Sequence, residues 1–96
     1  MPQVKFAAGA LRDIQRLREF LRPQNPAAAK RAADAIIKAT RLLLQQPLIG
    51  RLVAEHSPEQ RELVIEFGDH GYIALYAYSA DVVTVLSVRH QRERSV

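Results

Sequence analysis

Residues 61–94 read RELVIEFGDHGYIALYAYSADVVTVLSVRHQRER, three apolar runs separated by two turn signals and closed by a basic tail. Leu63, Ile65 and Phe67 alternate with Glu62, Val64 and Glu66, the period-two pattern of a half-buried strand. Gly68-Asp69-His70-Gly71 sets two glycines, which tolerate positive φ, around a polar pair, so the chain is predicted to reverse there. Tyr72 to Tyr78 is rich in aromatic and apolar residues, and Ser79-Ala80-Asp81 reads as a second turn. Val82 to Val88 holds four valines, a threonine and a leucine, the strongest strand signal in the chain. The pattern predicts a three-strand antiparallel meander. In its last strand Val82, Thr84, Leu86 and Val88 share one parity and are expected to be covered. Val83, Val85, Ser87 and Arg89 share the other, and are expected on an open face.

Working back from the meander, Gln3-Val4-Lys5-Phe6 alternates and predicts an edge strand. Leu11, Ile14, Leu17 and Leu21 recur at three- and four-residue steps, the stripe of an amphipathic helix, and Pro23 stops it. Asn25 is a good cap and Pro26 suits a first helical position. The body AAAKRAADAIIKATRLLLQQ then contains no Gly or Pro, predicting a second helix that runs to Pro47. Its expected buried face includes Ala29, Ala32, Ala33, Ile36, Thr40, Leu43 and Leu44. The short connection favours a helical hairpin, and Leu48 to Gln60 reads as a loop. The expected architecture is α+β: an N-terminal strand and a helical hairpin packed on a three- to four-stranded antiparallel sheet. Such a sheet can leave its other face to solvent or a partner.

At 96 residues the chain is expected to form one domain spanning 1–96. There is no cysteine, so neither a disulfide framework nor a thiolate metal site is available, which fits a reducing compartment. No apolar run approaches membrane-spanning length and the N-terminus lacks a signal-peptide pattern; a cytoplasmic protein without membrane contact is expected. The net charge is +4, and eleven of the fourteen basic residues are arginines, whose guanidinium favours bidentate recognition of carboxylate or phosphate.

The ordered set Leu11/Asp13/Ile14, Asn25-Pro26-Ala27-Ala28, Pro47-Leu48-Ile49-Gly50-Arg51, Arg61-Glu62-Leu63, Tyr72-Ile73 with Tyr76, and Val82 to Arg92 resembles the RelE/ParE superfamily of toxins from bacterial toxin–antitoxin modules. Each motif alone is weak; their order over nearly the whole chain carries the resemblance. It implies a toxin neutralised by a cognate antitoxin, as a homodimer or a toxin–antitoxin hetero-oligomer. It also implies one of two targets. RelE-like members cut messenger RNA on the ribosome, whereas ParE-like members poison DNA gyrase without a known hydrolytic site.

Cleaving RNA through its own 2′-hydroxyl needs a base, an acid and cations for the phosphorane charge. Arg61 and Arg92 could supply charge, and His90 or Glu55 a proton relay, giving Arg61, His90 and Arg92 as the RelE-like set. RelE-like nucleases commonly add a tyrosine near the C-terminus, and here nothing aromatic follows Tyr78. Tyr72, Tyr76 and Tyr78 share one parity and read as packing residues. The ParE-like branch is therefore favoured, with no catalytic residue. The expected antitoxin- and target-binding residues are Arg61, Arg89, His90, Arg92 and Arg94, and no cofactor or metal is expected. His56 and His70 read as solvated loop histidines.

Overall fold

The computed structural model describes residues 3–53, 59–68 and 70–92. Helix α1 (Ala8–Leu21) buries Ala10, Ile14 and Leu17 at the predicted steps, and Arg18 sits in its last turn, where a cation suits the helix dipole. Helix α2 (Pro26–Arg41) starts as its sequence demands. Asn25 Oδ1 accepts the Ala28 amide at 3.0 Å, and Pro26 occupies the first turn, where its missing donor costs nothing. The α-helix ends at Arg41 instead of running to Pro47; Leu42–Leu44 tighten into a 3₁₀ turn. Proline disfavours helical geometry in the residue before it, so this end is the one least able to stay α-helical. The tighter turn changes the phase of the stripe. Leu43 is fully buried, while Leu44, expected beside it, is exposed.

Among the described residues five strands form one sheet, β1 (Gln3–Phe6), β2 (Arg51–Leu52), β3 (Gln60–Phe67), β4 (His70–Ser79) and β5 (Val82–His90), in the order β1-β5-β4-β3-β2. The meander β3-β4-β5 is antiparallel, as its turns predict. Two features extend it. A two-residue strand within the expected loop pairs with β3, and β1 pairs parallel to β5, so the sheet is mixed. Alternation reports that a segment is extended; the direction of its neighbour is set by the path of the helices between them. Both helices cover one face, burying Leu63, Ile65, Tyr72, Ala74, Tyr76, Val83, Val85 and Val88 beneath them.

The covered face of β5 differs from the expected parity. Leu75 pairs with Ser87 but Tyr76 pairs with Val85, so Leu86 is an extra residue, a β-bulge. One inserted residue flips a period of two. Val83 and Val85, expected on the open face, are fully buried; Val88 is buried as expected; Leu86, expected under the helices, is only partly so. Close to the bulge, and beyond the point where β1 ends opposite Val85, Asp13 Oδ2 of α1 accepts the Val88 amide at 2.9 Å.

The β4–β5 turn holds Ala80 at φ 52° and Asp81 at φ 63°, the two left-handed residues of a two-residue hairpin. An L-residue pays about 1–2 kcal/mol there. Ala80→Gly is expected to raise stability by about 0.5–1 kcal/mol, the relief being partly offset by glycine's greater unfolded-state entropy. A urea midpoint that falls in this variant would contradict it.

Candidate functional site

The C-terminal half of α1, the β3–β4 hairpin and the end of β5 converge on a cleft of about 660 Å³. Each wall has a local cause. On α1, Leu17 and Leu21 lie on the buried stripe, and Arg16 and Phe20 beside it are turned outward, Phe20 being 70% exposed. The hairpin reverses after Phe67, with Gly68 at φ 63°, which brings Phe67 opposite His70. Cross-strand register then sets Tyr72 opposite His90. The rings form a chain: Phe67 to Tyr72 at 6.0 Å, Tyr72 to His90 edge-on at 5.6 Å, and His90 to His70 at 5.9 Å.

His90 Nδ1 accepts the Arg92 amide at 3.2 Å, so a neutral ring carries its proton on Nε2. Burial raises the Tyr72 phenol above its ordinary value near 10, so at physiological pH it is a donor and not a base. Arg16, 3.9 Å from Asp13, and Arg92 line the cleft, and among the described residues no carboxylate lines it. An apolar body with a negative end fits this chemistry, and two imidazoles at this separation are also placed to exchange protons with a bound group.

The expected site residues are dispersed over three places. His90 and Arg92 line the cleft. Arg89 does not, because neighbours on a strand point to opposite faces. It lies on the face away from the helices, 3.9 Å from Glu62, whose other carboxylate oxygen is 3.2 Å from Arg51. Arg61 is elsewhere again. Its Nη1 donates to the Leu48 carbonyl at 3.1 Å and the Gly50 carbonyl at 2.8 Å, holding the segment that leads into β2. Tyr76 holds the same segment from the core: its hydroxyl donates to the Pro47 carbonyl at 2.8 Å and accepts the Gly50 amide at 2.9 Å. Arg94, Glu55 and His56 lie outside the described residues.

Sequence reasoning missed Arg16, Phe20, His70 and Tyr72 as cleft residues. His70 was read as a solvated turn residue, yet it begins β4 and lines the cleft. Phe20 carried the one usable signal, a large aromatic displaced from the Leu17–Leu21 stripe. The packing role expected of the tyrosines holds: Tyr72 and Tyr76 are buried in the core, and Tyr78, partly buried, packs against it. Among the described residues no three His, Cys, Asp or Glu lie close enough to hold a metal ion, and no helix is long and apolar enough to cross a membrane.

Residues 4–95 match the family model described as the ParE toxin of the type II toxin–antitoxin system parDE. A curated relative, Toxin RelE3 of Caulobacter vibrioides, is 37% identical over 94 residues, 98% of this chain and 99% of that protein. Among solved structures, the chromosomal ParDE system of P. aeruginosa superposes with a TM-score of 0.78 at 19% identity, over 94% of this chain and 96% of that one. A chain of the intact E. coli RelBE toxin–antitoxin complex superposes at 0.63 and 22% identity, over 98% of this chain and all of that one. At these identities the structural likeness speaks to the fold.

Proposed function

Because the chain belongs to the ParE toxin family of type II toxin–antitoxin systems, we propose that it stops growth by docking on DNA gyrase, and that a cognate antitoxin masks it until released. The toxin role follows from the family; the target is the proposal. The observation that supports contact over hydrolysis is the position of Arg61. A nuclease would need that guanidinium on the phosphorane, but here it is committed to two backbone carbonyls of the 47–50 segment. Arg92 at the cleft beside His90, and Arg89 with Arg51 on the opposite face, are the cations that meet gyrase or the antitoxin in this reading, which places the protein in the cytoplasm.

A second reading is a ribosome-dependent messenger-RNA endoribonuclease, and one observation favours it. His70 and His90 stand 5.9 Å apart beside the Tyr72 phenol, with Arg16 and Arg92 lining the same cleft, a set able to relay a proton near a phosphate. His90→Gln separates the two readings, because Gln keeps a polar group of similar reach and cannot titrate. DNA supercoiling and messenger-RNA cleavage on translating ribosomes are measured in parallel. Gyrase inhibition that persists in His90→Gln is expected. Ribosome-dependent cleavage that falls by about 10²–10⁴-fold in that variant, with supercoiling untouched, would install the nuclease.

A further inference from the structure

The charge of this protein is not spread over its surface. Residues 8–41, the two helices and their connection, carry eight Lys and Arg against three Asp and Glu, a surplus of five. The rest of the chain carries six against seven, a deficit of one, so the whole net charge of +4 resides in the helical hairpin. All eight of those cations are exposed. On α2, Lys30, Arg31, Lys38 and Arg41 share the surface with a single acid, Asp34, and among the described residues none of the four makes an ion pair.

We propose that the outer face of the α1–α2 hairpin binds the phosphate backbone of duplex DNA. The choice of a polyanion over an acidic, amphipathic protein segment rests on what α2 lacks. Such a segment would bury an apolar stripe of its own, and Ile37 is the one large apolar residue that α2 exposes. A phosphate backbone asks only for placed cations. From Lys30 to Arg41 the helix advances about 16 Å at ~1.5 Å per residue, the length of roughly five base-pair steps. Arg12, Arg18 and Arg22 extend the cationic surface onto α1. DNA, as the polyanion, rests on the gyrase reading, since duplex DNA is what gyrase holds. On that reading the hairpin steadies the toxin against the DNA while another surface engages the enzyme.

The test leaves gyrase out, so its failure is distinct from failure of the gyrase proposal, which the supercoiling assay reads. Binding of the purified toxin to a labelled ~20-base-pair DNA duplex, roughly two helical turns at ~3.4 Å per step, is followed by anisotropy over a salt series. The same is done for Arg31→Glu/Lys38→Glu and, as a milder pair, Lys30→Gln/Arg41→Gln. All four positions are exposed, and a thermal melt checks that each variant folds. The wild type is expected to bind at low salt irrespective of sequence. Its log–log salt slope is expected to fall by about 2 units in either pair, with more than tenfold weaker binding for the charge reversal. Four results would overturn the proposal: no binding at low salt, binding unchanged in both pairs, tighter binding to duplex RNA of equal length, or variants that keep DNA but lose the antitoxin.

Discussion

Val85→Asp is expected to abolish folding, while Leu86→Asp, one residue further on, is expected to retain a cooperative melt. Val85 is fully buried beneath the helices, and a carboxylate there would lack a partner. An uncompensated buried charge costs several kcal/mol, against a total stability of about 5–15 kcal/mol for a domain of this size. Leu86 is the extra residue of the bulge and is only partly buried, so its side chain can turn to water. Circular dichroism melts of the two variants give the answer. A folded Val85→Asp, or an unfolded Leu86→Asp beside it, would mean that the bulge is misplaced and that Leu86 belongs to the covered face.

Tyr76 carries the second large effect. It is fully buried at the centre of the sheet, and its hydroxyl joins Pro47 to Gly50 across the loop into β2. Tyr76→Ala is expected to cost about 3–5 kcal/mol from the cavity alone. Tyr76→Phe keeps the ring but strands the Gly50 amide and the Pro47 carbonyl, at about 1–3 kcal/mol. Tyr78→Phe, whose exposed hydroxyl makes a 3.4 Å contact with Asp81, is expected to change stability by less than about 0.5 kcal/mol. Urea titration ranks the three, and equal losses for Tyr76→Phe and Tyr78→Phe would refute the role of the buried hydroxyl. The Gly50 position agrees with it: a Cβ there would lie 2.6 Å from the Tyr76 hydroxyl oxygen, so Gly50→Ala must displace the segment.

The same phenol has a pH signature. Burial raises its ionisation, outweighing the opposing Gly50 hydrogen bond and the nearby Arg61 charge. A group whose folded value is raised above its unfolded one stabilises the fold below the unfolded value and loses that contribution as pH rises. Tyr76 and Tyr72 therefore favour the folded state up to pH of about 10, and alkaline unfolding begins above it.

Both helices and all the strands but β2 were legible because each has a period that side chains alone declare. Leu63, Ile65 and Phe67 announce a strand; Ile14, Leu17 and Leu21 announce a helix; Asn25-Pro26 announces where the next one starts. The α+β class and the hairpin over a sheet follow from that order of elements, and the set of motifs pointed to the toxin superfamily. The bulge at Leu86 was not legible, since an inserted residue leaves no mark in a run of apolar side chains, yet it decides which valines are core. Nor was the division of Arg61, Arg89 and His90 among a loop anchor, an ion pair with Glu62 and a cleft, because each depends on what the chain brings opposite from far away. Periodicity is a property of neighbours along the chain, so the amino-acid sequence alone determined the main elements and, outside β5 and the end of α2, the face each would bury. Contact between residues distant in sequence, such as Tyr76 with Gly50, and the convergence of Phe20 and His90 on one cleft are decided only when those elements pack, and there the tertiary structure assigned the side chains their work.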